Sequence, residues 1–367
     1  MKPSAAAPGE PLVLRGGPYE RGRAQAALCP DLVGHVRHAI AHRLAETRPA
    51  FAREEVRRFV DGQRAVTAGL YPEILEEIRG IADGFDLAPG TVFDYLHCST
   101  AMDVAALPEH EPEGCTSFAV SAGRASGALV AKNRDYRPEH IPIQRVMRHA
   151  DPAWGGREVL VLGSLGSPGN FSSGMNGDGL AVTDTASRTT DMGVGFHRYF
   201  LLTWLLVHCA TVDEAQAAIR RTTHTGGGLL LLGDASGAVA AVELGHSAIG
   251  FEHKSSGRVG RTNHFVTPHM APTNLRVPAA AASRANSLRR FPCLSRLLAA
   301  LPEPPGVDDA GAVLAYHGED GGEAFCRHGG DDLGTTIAGA IWLTGERRLL
   351  SVAGNPCRAA WERFDIP

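Results

Sequence analysis

The sequence has no apolar run long enough to cross a bilayer. Its longest, around Leu201 to Val207, falls far short of the ~20 residues a membrane helix needs. Met1 to Gly9 shows no basic stretch followed by an apolar one, so no export signal is read and the expected compartment is the cytoplasm, with no membrane partner. An excess of one charge is also lacking. Acidic and basic residues number 40 and 36, for a net charge of −4, and both signs are scattered through both halves. Such a surface offers no basic face for a phosphate backbone, which excludes nucleic acid as an expected partner. Cysteine is sparse and odd in number: seven, at positions 29, 98, 115, 209, 293, 326 and 357, with no CxxC pair. Without an export signal this argues against a disulfide framework. The nearest approach to a metal-ligand pattern is the isolated pair Cys326 and His328, so no metal is expected. Internal repeats are absent, and the one low-complexity tract is Ala279 to Ala282.

What is present fits a soluble α+β protein. Apolar residues make up 44% and charged residues 21%, while 43 glycines and 23 prolines suggest many turns rather than long bundled helices. Pro11 to Arg15 reads as a strand and Pro18 to Glu46 as a helical region, with Pro18 suited to a first turn. Helices follow at Arg53 to Ala68, Pro72 to Asp83 and Thr91 to Val104. From Cys115 the pattern changes to short apolar runs broken by glycine: Cys115 to Ser121, Ala128 to Asn133, Glu158 to Gly163 and Gly179 to Asp184. Helices at Phe196 to His208 and Val212 to Arg221 separate these from strands near Leu229 to Leu232, Ala238 to Glu243 and Ala248 to His253. A helix at Ala279 to Ala300 and strands at Thr335 to Trp342 and Arg348 to Ala353 close the chain. Strands in two groups with helices between them imply two sheets packed on each other and covered by helices, in one intertwined domain.

Chemistry concentrates at one cysteine. Ala105 to Glu113 reads as an exposed connector that runs directly into Gly114 and Cys115. Cys115 opens a strand beside the polar Thr116 and Ser117, an odd setting for a core thiol, although an inert cysteine is the plain alternative. Folding the following hairpin about residue 124 sets Cys115 opposite Asn133 or Arg134 and brings Lys132, Asn133 and Asp135 beside the sulfur. A cation or amide favours thiolate and a carboxylate orients an amine, which suits a nucleophile lacking a partner histidine. A merely polar strand end is the other reading of residues 132 to 135.

Seven motifs in order extend this pattern over nearly the whole chain: Gly16-Gly-Pro-Tyr-Glu-Arg-Gly22, Gly114-Cys-Thr-Ser-Phe118, Ala131-Lys-Asn-Arg-Asp135, Gly174-Met-Asn-Gly-Asp-Gly-Leu180, Thr262-Asn-His-Phe265, Ser283-Arg284 and Gly354-Asn-Pro-Cys357. Together they resemble the isopenicillin N acyltransferase-like family of N-terminal-nucleophile cysteine hydrolases and acyltransferases, itself similar to the choloylglycine hydrolases. The resemblance implies a four-layer αββα sandwich and self-cleavage between Gly114 and Cys115. Residues 1–114 would become a mainly helical α chain and 115–367 a β chain, forming a heterodimer that could assemble further. It implies Cys115 as nucleophile, Asp135 holding its α-amino group, Asn263 as oxyanion donor, Asn176 positioning substrate or oxyanion, and Arg284 as electrostatic support. Arg289 and Arg290 are rivals of Arg284. Lys132 stands where bile-salt relatives carry arginine, so a point charge replaces a planar fork.

The expected activity is acyl transfer or hydrolysis on a small N-acyl amide or acyl thioester through a thioester on Cys115. The partners are a small acyl donor and an amine or water acceptor; no cofactor is expected, with acyl-coenzyme A as a potential co-substrate. Two other classes stand beside it: a catalytically silent binding protein on the same fold, and a Cys-His protease active without internal cleavage. His264 reads as a packing histidine rather than a base, and Gly16 to Gly22 as a turn and helix entry, since it lacks the GxGxxG spacing and a Lys-Ser/Thr ending. Asn176 and Gly177 also fit an Asn-Gly hairpin turn with positive φ. Asp234 and Glu243 read as hairpin markers.

Overall fold

A computed structural model describes residues 9–108, 114–123, 126–277, 281–318, 324–329 and 334–367, without the side chains of residues 282 and 283. The final residues of the expected connector, 109–113, therefore lie outside the described chain. Strand β1 (Leu12–Arg15) leads into helices α1 (Pro18–Leu28), α2 (Val33–Phe51), α3 (Glu54–Leu70), α4 (Pro72–Phe85), α5 (Pro89–Leu96) and α6 (Cys98–Val104). Strands β2 (Thr116–Ser121), β3 (Ala128–Tyr136), β4 (Gln144–Ala150), β5 (Glu158–Ser164), β6 (Ser173–Asn176) and β7 (Ala181–Thr185) follow. Helices α7 (Arg198–His208) and α8 (Val212–Arg220) precede β8 (Leu229–Gly233), β9 (Val239–Leu244), β10 (Ile249–Lys254) and β11 (Arg258–Arg261). The chain ends with α9 (Ala281–Ala300), α10 (Val307–Leu314), β12 (Thr335–Leu343), β13 (Arg348–Ala353) and β14 (Glu362–Asp365).

The strands form an 8-stranded sheet, in the order β1-β4-β5-β6-β7-β8-β9-β10, and a 6-stranded sheet, in the order β11-β2-β3-β12-β13-β14. Neighbours pair antiparallel except β1 with β4, which run parallel. Side-chain alternation divides the core. Leu160, Leu162, Met175, Ala181 and Leu231 of the larger sheet meet Ala119, Val130, Ala340 and Trp342 of the smaller. The intervening residues Val159, Val161, Val182, Leu230 and Leu232 face α1 to α8. On the outer face of the smaller sheet, Phe118, Leu129, Ala131 and Ile341 pack against Leu294, Leu298 and Val313 of α9 and α10. The result is a four-layer αββα sandwich. Strands buried on both faces explain why β5 and β8 read as continuous apolar runs rather than alternating ones.

The helical region expected as one piece over residues 18–46 is broken at Cys29. Pro30 lacks an N–H and would clash with the preceding turn, so residues 30–32 form a 3₁₀ turn before α2 begins. The motif over residues 16–22 is a helix entry, as its spacing suggested. Arg21, buried beneath it, donates to the Gly16 carbonyl at 3.0 Å and pairs with Glu77 at 3.0 Å and with Asp151. Gly22 and Gly80 let α1 and α4 touch backbone to backbone: a Cβ on Gly22 would fall 2.2 Å from the Glu77 carbonyl oxygen, and one on Gly80 2.0 Å from that of Tyr19.

Candidate active site

The β2–β3 hairpin aligns Thr116 with Asn133 and Ser117 with Lys132, so Cys115 continues the ladder toward Arg134. Cys115 is 6% exposed, and its Sγ lies 3.5 Å from the Asp135 carbonyl oxygen. Its own carbonyl accepts a hydrogen bond from Arg290 Nη1 at 3.0 Å, and the same nitrogen donates to Thr116 Oγ1 at 2.9 Å. The nucleophile candidate is thus held at its carbonyl as well as through the strand that follows it.

Arg290 organises the neighbourhood. Its Nη2 donates to Asn263 Oδ1 at 2.7 Å and its Nε to Asn286 Oδ1 at 2.7 Å. Asn286 Oδ1 also accepts from Arg327 Nη2. Arg327 in turn stands 3.3 Å from Asp135 Oδ2, while Thr336 Oγ1 donates to Asp135 Oδ1 at 2.6 Å. Burial pushes the Asp135 carboxyl above the ordinary aspartate range, against the opposing pull of Arg327, the Thr336 hydrogen bond, Arg290 and Lys132. Burial, and then repulsion by Arg327, pushes Arg290 down to about 9, which leaves it protonated at neutral pH. Two buried guanidiniums against one carboxylate make an electropositive pocket of the kind that favours thiolate and oxyanion.

Gly114 belongs to this cluster. A Cβ there would meet Arg327 Nη1 at 2.1 Å and Asp135 Oδ2 at 2.7 Å, so the peptide unit before Cys115 lies against the carboxylate and admits no side chain. Among the described residues, Asp135 Oδ2 accepts no hydrogen bond and is held by its ion pair with Arg327.

Asn263 lies beside Arg290. Because a guanidinium can only donate, the amide must turn Oδ1 to Arg290 and Nδ2 away; Nδ2 donates to the Ala186 carbonyl at 3.0 Å, which leaves its second N–H for another acceptor. His264, the next residue, is 2.8 Å from Ser287 Oγ through Nδ1. Burial, followed by Arg290, Arg284 and Arg261, lowers it to about 4. It is neutral at working pH and locally bonded, in keeping with a packing role.

Two expected site residues stand elsewhere. Asn176 shares β6 with Met175, which faces the other sheet, so Asn176 faces the helices. Its Nδ2 donates to the Leu206 and Cys209 carbonyls at 2.8 and 2.7 Å, and its Oδ1 accepts from Asp178 and Leu180. Its polar capacity is spent tying α7 to the β6–β7 turn, away from Cys115. The positive φ expected of Asn176 and Gly177 in that turn falls instead on Gly179, at 87°. Arg284 lies six residues before Arg290, about 120° round the helix; it bears on His264, and its Nε has no partner among the described residues. The hydrogen bonds to the Cys115 carbonyl and to Asn263 come from Arg290, one of the rivals of Arg284.

The three polar residues before Asp135, expected as substrate or electrostatic support, make their bonds to other parts of the fold as braces. Lys132 Nζ pairs with Asp184 at 2.6 Å across the sheets, Asn133 Nδ2 donates to the Leu314 and Phe325 carbonyls at 2.7 and 2.8 Å, and Arg134 Nη1 donates to Gln144 Oε1 and Ser164 Oγ at 2.8 and 3.0 Å. Asp234 and Glu243 are structural: Asp234 Oδ2 accepts from the Val212 N–H at the start of α8, and Glu243 pairs with Arg261 at 3.0 Å. Arg327, Asn286 and Thr336 are not among the residues the sequence motifs point to. Asn286 and Arg290 could have been found by their i, i+4 spacing on α9; no local pattern marks Arg327 or Thr336.

Residues 123–357 match the family described as acyl-coenzyme A:6-aminopenicillanic acid acyl-transferase. The match begins after Cys115 and takes in Asp135, Asn263, Arg290 and Arg327. No curated protein matches the sequence. Among solved structures, two variants of a conjugated bile acid hydrolase from Clostridium perfringens show 11% identity over 69% of this chain and 97% of theirs, with TM-scores of 0.39 and 0.41. A penicillin V acylase from Agrobacterium tumefaciens shows 12% identity over 65% of this chain and 82% of its own, with a TM-score of 0.41. The sheet order and layers described above define the architecture independently of these loose superpositions. No helix among the described residues is long and apolar enough to cross a membrane.

Proposed function

Because the chain belongs to the acyl-coenzyme A:6-aminopenicillanic acid acyl-transferase family, we propose that it is an N-terminal cysteine enzyme that moves acyl groups through a thioester on Cys115 after cutting itself between Gly114 and Cys115. The observation that carries this reading is the cluster of Gly114, Cys115, Asp135, Arg290 and Arg327, in which the peptide before the cysteine packs on a buried carboxylate oxygen that is ion-paired with Arg327 and, among the described residues, accepts no hydrogen bond.

In self-processing, Cys115 Sγ attacks the Gly114 carbonyl carbon, the C–N bond breaks, and the nitrogen leaves as the α-amine of Cys115. Water then hydrolyses the resulting thioester and releases the Gly114 carboxylate. The new ammonium forms beside Asp135 Oδ2, which supplies the missing partner. With a reference pKa of roughly 7.7 to 8.0, that amine can take the thiol proton in turnover, so no histidine is required. Arg290 keeps the residue in place once its N-terminal neighbour has gone.

In turnover the sulfur attacks the acyl carbonyl, and the oxyanion accepts from the spare Nδ2 proton of Asn263, whose orientation Arg290 fixes. The leaving amine or thiol takes the proton, and an amine or water then resolves the acyl-enzyme. The substrates are a small acyl donor, an N-acyl amide or an acyl thioester such as acyl-coenzyme A, with water or an amine as acceptor. Acid-quenching turnover with a labelled donor and weighing the peptide that starts at Cys115 tests this directly. The expected result is an acyl mass increment that hydroxylamine removes and that disappears in Cys115→Ser. An enzyme turning over without any label on that peptide contradicts the thioester.

A further inference from the structure

We propose that His317, Cys326, His328 and Cys357 form a tetrahedral zinc site. Their four donor atoms lie within 4.8 Å of one another. The His317 and His328 Nε2 atoms are 2.9 Å apart, the Cys326 and Cys357 sulfurs 3.6 Å apart, and His328 Nε2 stands 3.3 Å from Cys357 Sγ and 3.9 Å from Cys326 Sγ. Zinc bound at about 2.3 Å to sulfur and about 2.0 to 2.1 Å to nitrogen has tetrahedral edges of roughly 3.3 to 3.8 Å. The measured separations bracket those edges, and two thiolates with two imidazoles are a donor set that zinc prefers.

The surroundings fit a metal as well. Asn355 Nδ2 points at Cys326 Sγ from 3.6 Å and donates to the Arg327 carbonyl at 2.6 Å; an amide N–H directed at a sulfur supports a metal-bound thiolate. His317, His328 and Cys357 reach solvent, which gives the ion a way in. The ligands come from the segment after α10, the approach to β12 and the turn after β13, so the ion would staple three stretches of chain. Spacing revealed only Cys326 and His328, because the other two ligands arrive from 9 residues before Cys326 and 29 after His328. Arg327 lies between two of the ligands and reaches Asp135, so the staple would also position a residue of the acyl site.

The test is metal analysis of the full-length protein, purified with reductant and without chelator, beside Cys357→Ser and His328→Ala. We expect about one zinc per chain in the unsubstituted protein and near none in the variants, with circular dichroism showing whether each is folded. Replacing zinc by cobalt in the unsubstituted protein should give thiolate-to-cobalt charge-transfer and tetrahedral ligand-field bands, a readout that depends neither on variant folding nor on activity. A protein that takes up neither metal after equilibration, that keeps its zinc in folded variants, or that isolates with Cys326 and Cys357 joined as a disulfide and no zinc would overturn the proposal.

Discussion

In the proposed mechanism Asn263 and Arg290 work as a pair, one offering the amide proton and the other setting which way the amide faces. Asn263→Ala and Arg290→Lys should each lower kcat/KM by roughly two to three orders of magnitude in folded protein. Arg284→Ala should stay within about ten-fold of the parent, because Arg290, not Arg284, donates to the Cys115 carbonyl and to Asn263. Steady-state kinetics on the three variants checks both statements, and a larger loss for Arg284 than for Arg290 would reverse the assignment. Gly114→Val places a branched side chain where Arg327 and Asp135 already stand, so intact precursor should accumulate, visible on a denaturing gel over time. The meeting of Cys115 with Asp135 was legible because one hairpin sets it, and hairpin register follows from local sequence. Arg327 and Thr336 join from some 200 residues away, and the choice among Arg284, Arg289 and Arg290 depends on how α9 rolls onto the smaller sheet.

Helices α1 and α4 meet through glycines. Gly22→Ala should cost about 1–3 kcal/mol or more by denaturant titration, since its Cβ must push two backbones apart. Gly34→Ala, in α2 with nothing within 4 Å of the added carbon, should be neutral or stabilising by up to about 1 kcal/mol. Equal losses at both sites would contradict the close approach. Most helices and the apolar strands were readable from periodicity, while β4 and β6 were not. In β4, Arg145, Arg148 and His149 interrupt the apolar pattern although it lies between β1 and β5. β6 is four residues long, and its Ser173, Gly174 and Asn176 read as a turn because their burial comes entirely from the layers on either side. Helix α10 is only eight residues long, too short for its buried face of Ala310, Val313 and Leu314 to stand out from the sequence, and it packs on β3 and β12.

Among the described residues, burial lowers eight histidines, and five of them move furthest: His97, His149 and His264 to about 4, and His140 and His197 well below the ordinary value. With the folded values depressed, the unfolded chain binds more protons between pH ~6.5 and 4. Stability is therefore full above pH ~6.5 and falls as pH drops through that window, by about 1.4 kcal/mol per unit for each group titrating only in the unfolded chain. Thermal unfolding from pH 7.5 to 4.5 should show a steadily falling Tm, and a flat profile would mean that these histidines are solvated. The two-sheet, helix-covered architecture was legible from the order of the elements, and their packing leaves residues 12–104 braced on the larger sheet through β1 and the Arg21 network.

The most direct measurement is the intact mass of the purified active protein beside Cys115→Ala. Two chains divided between Gly114 and Cys115, with the substituted protein remaining a single chain, is the outcome required if the cysteine's own nitrogen becomes the base. Full acyl-transfer activity from a preparation that is entirely one polypeptide would contradict it.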